Sequence, residues 1–122
     1  MGNTSSADGT KPAVQYGCHI LHVQTGSPGE ACGLKAYFDL VISAQGVHLD
    51  TEKDEGKLVE ILKANLHQPV RLMVYNLKTE TLREVAITPS DSWGGAGVAG
   101  ITIRYCSSES ALDTVWHVVE VQ

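Results

Sequence analysis

The chain has 122 residues, 43% of them hydrophobic and 19% charged, enough for one compact domain with a real core and too few for two full ones. It contains no run of about 18 uncharged apolar residues that would cross a membrane as a helix, and residues 1–20 lack the charged and apolar regions of a secretory signal, so a protein that stays cytosolic is expected. The net charge of −5, with nine Lys and Arg scattered singly, forms no basic stripe, which argues against nucleic acid and against a polybasic membrane footprint.

In chain order, residues 1–15 are rich in Gly, Ser, Thr, Asp, Lys and Pro and are expected to form a disordered arm. Its first six residues, Met1-Gly2-Asn3-Thr4-Ser5-Ser6, match the M-G-x-x-x-[ST] pattern for myristoylation of Gly2. Tyr16 to Val23 reads as a strand. Ser27-Pro28-Gly29-Glu30 then supplies a helix start, with Ser27 as N-cap, Pro28 at the first helical position and Glu30 closing a capping box. Gly33 is placed to end that short helix in the left-handed conformation, and Leu34 returns to the core. Phe38 to Ala44 is a second strand with Gly46 as its turn.

A longer helix is expected from about Asp54, because Leu58, Ile61, Leu62 and Leu66 fall at helical spacing; Asn65 and Pro69 mark its end. Val70 to Leu77 and Leu82 to Thr88 form a hairpin across Lys78-Thr79-Glu80-Thr81, and Ile101 to Cys106 is a strand of β-branched alternation. The order β, α, β, α, β, β, β has no βαβ repeat and predicts an α+β fold around a small antiparallel sheet. Cys18, Cys32 and Cys106 are an odd count without C-x-x-C spacing; neither a disulfide framework nor a zinc ribbon fits, and reduced thiols are expected.

Two patterns need placing. His19-Ile20-Leu21-His22-Val23-Gln24 recurs as His117-Val118-Val119-Glu120-Val121-Gln122, the expected sign of a second domain of the same type opening near Trp116. Gly95-Ala96-Gly97-Val98-Ala99-Gly100 is a literal G-x-G-x-x-G. A dinucleotide site needs a strand before these glycines and a helix after them, whereas here a turn precedes and a strand follows. Glycines that feed a strand suit a loop whose backbone N–H groups receive a carboxylate or a peptide carbonyl, while the strand pairs with an extended peptide and a neighbouring helix forms the second wall.

Strand, helix and Gly-rich loop in this arrangement are the parts of a PDZ domain, and the chain resembles the Golgi reassembly and stacking proteins. The resemblance runs over nearly all of residues 16–122. It is carried by Gly17-Cys18-His19-Ile20-Leu21, Ser27-Pro28-Gly29, Gly33-Leu34, Phe38-Asp39, Leu62-Lys63-Ala64-Asn65 and, most specifically, by Trp93-Gly94-Gly95 with Gly97, followed by Arg104-Tyr105-Cys106. It implies a PDZ-like small antiparallel sheet or partial barrel with two helices, in a circularly permuted, bacterial-type strand order. The implied division is an arm at 1–15 acylated at Gly2, a PDZ-like domain at 16–108, and at 109–122 a linker with the first strand of a second repeat.

The groove implied by the resemblance lies between Leu58 and Leu62 on the helix and Gly97, Val98, Ala99, Gly100, Ile101, Thr102 and Ile103 on the loop and strand. Ordinary core packing is the competing reading of the two leucines. Val98-Ala99 stands where the family usually has a larger apolar pair, and Asp50 to Gly56 is a longer polar stretch than usual; shallower side chains would change ligand preference.

The implied function is a non-enzymatic tethering module on the cytoplasmic face of Golgi membranes, held by its lipid and binding peptide segments of a golgin coiled-coil protein or of other copies of itself. The alternatives are a soluble PDZ adaptor and a protease-associated PDZ domain that reads C-terminal peptides. No cofactor is required. His19 and Cys106 match a His and a Cys found near each other in the family, a two-ligand start on a zinc site that would need further donors from a partner or a neighbour such as His22.

Overall fold

The computed structural model describes residues 16–49, 54–95 and 97–113; the arm with Gly2 and the echo at His117 to Gln122 lie outside them. Eight elements are bounded: β1 (Tyr16–Val23), α1 (Pro28–Ala31), β2 (Asp39–Ala44), β3 (Val47–His48), α2 (Asp54–Ala64), β4 (Val70–Asn76), β5 (Thr81–Ile87) and β6 (Ile101–Ser107). A further helical stretch, α3, occupies 108–113.

All the strand pairings are antiparallel and run in the order β5-β4-β2-β1-β6, with β3 pairing β2 off this path. The sheet is open rather than a partial barrel, so β5 and β6 are its edges. The last strand thus lies beside the first, which is the late position expected for a groove strand in the permuted order.

Alternation sends successive side chains of each strand to opposite faces, and both faces carry apolar residues. Cys18, Ile20, Val41, Leu72 and Val74 pack on one face with Leu58 and Leu62 of α2. Leu40, Leu77, Cys106 and Ala111 of α3 form a smaller cluster with Phe38, Ile42 and Tyr75. One cross-strand row runs over the whole sheet on this second side: Leu82, Tyr75, Leu40, His19 and Arg104 face one another in register. Gly17 permits the close approach of β1 to β2, since a Cβ there would strike the Val41 carbonyl.

Local chemistry explains α1, with one correction. Ser27 Oγ accepts the Glu30 N–H at 3.2 Å as an N-cap should. The return arm of the capping box does not reach Ser27. Its N–H is already given to Gln24 O at 3.2 Å, so Glu30 Oε1 takes the Gly26 N–H instead, at 2.7 Å. Gly33 has φ +90, the left-handed stop expected there. β3 was not expected: two residues after the Gly46 turn are too short for any periodicity to register. The third helical stretch is likewise additional to the expected pair.

Candidate peptide-binding site

Residues 93–100 lead directly into β6, whose outer edge pairs with no strand among the described residues. α2 packs across β6 and β1, which brings loop, strand edge and helix together on one side of the sheet. The loop is held by its carbonyls. Val98 O accepts from Ser90 N at 2.9 Å, Ala99 O from Gly29 N at 2.9 Å, and Gly100 O from Gln24 N at 2.8 Å. Among the described residues, the N–H groups of Val98, Ala99 and Gly100 donate to nothing. An array of backbone donors without an internal partner is the kind of feature that can receive a carboxylate.

Two glycines give the loop its path. Gly97 has φ +75 and Gly100 φ +68, in the left-handed region that side chains disfavour. A Cβ on Gly97 would meet open space, whereas one on Gly100 would collide with the Ser27 side chain. Position 100 therefore requires glycine twice over, for conformation and for room against the N-cap of α1.

The Gln24–Gly100 bond also sets the edge. It flanks the Val23–Ile101 pair, which is therefore of the kind not bonded to each other, and the Ile101 N–H and C=O point away from β1 toward the open side. By the same alternation Ile103 presents its amide outward and Thr102 turns its own toward β1. Ile101 and Ile103 are half-buried against the larger core while Thr102 is exposed. Ala99 is buried within that core and Val98 packs against it. Leu58 and Leu62 are buried there too; they seat α2 on the sheet and do not line an exposed channel.

His19 and Cys106 lie on the second face, diagonal neighbours across β1 and β6: His19 is opposite Arg104 and Gly17 opposite Cys106. Because a carbonyl can only accept, the 2.8 Å contact of His19 Nε2 with Tyr37 O fixes the ring proton on Nε2. Nδ1 then carries a lone pair, is buried and has no hydrogen-bond partner among the described residues. Burial holds the His19 pKa below the ordinary imidazole range, against the Tyr37 bond and with a smaller push from Arg104. A neutral ring with one nitrogen on a backbone carbonyl and the other unpaired is the arrangement of a metal-ligating histidine. A zinc ion takes four donors, and no group of three or more His, Cys, Asp or Glu able to hold a metal occurs among the described residues.

Sequence reasoning placed the loop and the strand but missed what holds them. The bonds from Ser90, Gly29 and Gln24 are backbone bonds, which side-chain identity does not encode. Tyr37 carries no local signal either: it is a non-glycine residue with φ +72, pinned to β1 through its own N–H on Ile20 O at 2.7 Å.

An open antiparallel sheet with a free late strand, an amide-presenting loop at its start and a helix across it defines a PDZ-like domain. Comparison with known proteins narrows the class. The chain belongs to the GRASP55/65 PDZ-like domain family, whose model matches residues 1–102. It is 42% identical over 122 residues to Golgi reassembly-stacking protein 1 of Mus musculus, covering 100% of this chain and 26% of that protein. Golgi reassembly-stacking protein 1 of Homo sapiens is 43% identical over 106 residues, 87% of this chain and 24% of the human protein. A Schizosaccharomyces pombe protein named as uncharacterized is 34% identical over 94 residues, 77% of this chain and 26% of its own length. The chain thus spans about a quarter of the length of these relatives.

Proposed function

We propose that this chain is the peptide-capturing, non-enzymatic part of a Golgi-stacking protein. In this reading an extended peptide adds to the outer edge of β6, its carboxylate rests on the amides of Val98, Ala99 and Gly100, and α2, seated by Leu58 and Leu62, closes the far wall. The unspent donors of that loop beside a free strand edge are the observation that carries it. The captured segment comes from a golgin-type coiled-coil protein or from another copy of the protein on the facing membrane.

The reading extends to regions outside the described residues. Myristoylation of Gly2 would hold the protein on the cytoplasmic face of the Golgi. A single acyl chain binds a membrane only marginally, so the peptide contact supplies a second hold, strengthened by avidity where copies meet across a gap. After a linker from 109, a second repeat of the same type would begin near Trp116. His19 and Cys106 would be two of the four donors of a zinc site, the others coming from a partner or a neighbour such as His22; because both side chains are buried, the site would form only if that face of the sheet opened.

Gly2→Ala in the full-length protein tests the anchor: cell fractionation should find it in the cytosol, and unchanged Golgi membrane association with the partner also removed would overturn that part. Isothermal titration of the domain with free-carboxylate peptides tests the groove. Saturable binding that Gly100→Ala abolishes is the expected result.

A further inference from the structure

Trp93 is the member of the Trp-Gly-Gly-x-Gly motif that neither the sheet nor the clustered core accounts for. Its indole Nε1–H donates to Gly97 O at 3.1 Å. Its six-membered ring occupies the inside of the loop: a Cβ on Gly95 would strike it, and one on Gly100 would come within 3.0 Å of it. The side chain is half-buried, so it is held by the loop and in turn fills it.

The hydrogen bond has a directional consequence. The described chain has no cis peptide bond, and in a trans peptide the carbonyl of one residue and the N–H of the next point in opposite directions. Fixing Gly97 O on the indole therefore turns the Val98 N–H away from Trp93. The three following planes are fixed in the same way, Val98 O by Ser90 N, Ala99 O by Gly29 N and Gly100 O by Gln24 N, which sends the N–H groups of Ala99, Gly100 and Ile101 away from the body of the domain. Among the described residues, Trp93 is the side-chain donor in this set; the other donors are backbone.

We propose that Trp93 is a positioning residue: its indole N–H, by holding the Gly97 carbonyl, aims the Val98 amide at the carboxylate of a bound peptide and so sets the preference of the groove for a charged over a neutral terminus. This rests on the reading of the loop as a carboxylate receptor. A hydrogen bond to a charged group contributes more than one to a neutral group, so the effect of mis-aiming one amide appears in the acid form of a ligand and not in its amide.

The probe is a peptide selected from a free-carboxylate library on the unsubstituted chain, synthesised both as the acid and as its C-terminal amide. Trp93 is replaced by Phe and, by synthesis, by β-(3-benzothienyl)alanine, which keeps the bicyclic shape and lacks the N–H. Both replacements should weaken binding of the acid form about tenfold and leave binding of the amide form unchanged, with the thermal midpoint of the benzothienyl variant unmoved. Equal loss on both forms, or an undiminished preference for the acid, overturns the positioning role while leaving the groove in place. Failure to select any free-carboxylate peptide overturns the receptor reading and this proposal together.

Discussion

Arg83 grips Asp39 with both arms of its guanidinium, Nη1 to Oδ1 at 3.0 Å and Nη2 to Oδ2 at 2.7 Å, and the same Nη2 reaches Gly33 O at 3.1 Å. Asp39 is 0% exposed and the Arg83 side chain 35%. Asn76 Nδ2 and the Lys35 N–H complete the carboxylate at 3.1 and 2.8 Å, and the bond to Asp39 raises the Arg83 pKa. The network ties the turn after α1 to the β4–β5 hairpin. Arg83→Met should cost about 3 kcal/mol in urea unfolding, because it leaves a buried carboxylate short of two charge-assisted bonds. Arg83→Met/Asp39→Asn should recover part of that loss. A single variant within about 0.5 kcal/mol of the parent would show that solvent replaces the guanidinium freely.

That network was not legible in the sequence, because Asp39 and Arg83 lie 44 residues apart and only the β2–β4–β5 register brings them together. The elements themselves were legible wherever a period could develop. β1 was read at its observed bounds, and β2, β4, β5 and β6 within a residue. Ser27 and Gly33 announced both ends of α1 because capping is local chemistry. The candidate site was half legible. Its glycines and β-branched strand carry local signals, whereas the burial of Ala99 depends on how the loop sits on the core. Charge placed at Ala99 therefore tests folding, and the exposed Thr102 is the better position for probing the groove.

Gly97 and Gly100 share a left-handed backbone and differ in surroundings. Gly97→Ala bears only the conformational penalty, about 1 kcal/mol. Gly100→Ala adds a collision with Ser27, whose Cβ cannot rotate away, and should cost at least about 2 kcal/mol more while displacing the start of β6. Guanidinium unfolding of both variants is the measurement. Equal costs would mean that the loop relaxes away from α1 without penalty.

Cys32 donates its thiol to Gly29 O at 3.3 Å, and burial pushes its pKa up, outweighing the opposing backbone bonds and Arg83. The native state then keeps the thiol proton to higher pH than the unfolded state, so this group's contribution is complete below the unfolded thiol pKa of about 8.5 and is lost as pH rises past it. Stability should decline as pH rises past about 8.5, more in the parent than in Cys32→Ser, which keeps a donor for Gly29. Tyr75 is raised by burial too, but its decline begins about one and a half units higher. At pH 8 iodoacetamide should label Cys32 more slowly than free cysteine; labelling at the free rate would contradict a raised thiol pKa.

The β6 edge makes a residue-by-residue prediction that needs no mutation. Alternation along an antiparallel edge strand leaves every second amide without a partner, and the Gln24–Gly100 bond fixes which ones. In the free domain the amides of Ile101 and Ile103 should exchange hydrogen rapidly, while Thr102, turned toward β1, stays protected. Saturation with a selected free-carboxylate peptide should slow Ile101 and Ile103 by tenfold or more, since strand addition gives each a carbonyl, and should leave Thr102 unchanged. Slowing of Val98, Ala99 and Gly100 alone would place the ligand on the loop without strand addition. Equal protection of all three strand amides before ligand is added would mean that the outer edge of β6 is already occupied, and the groove would have to be sought elsewhere on the sheet.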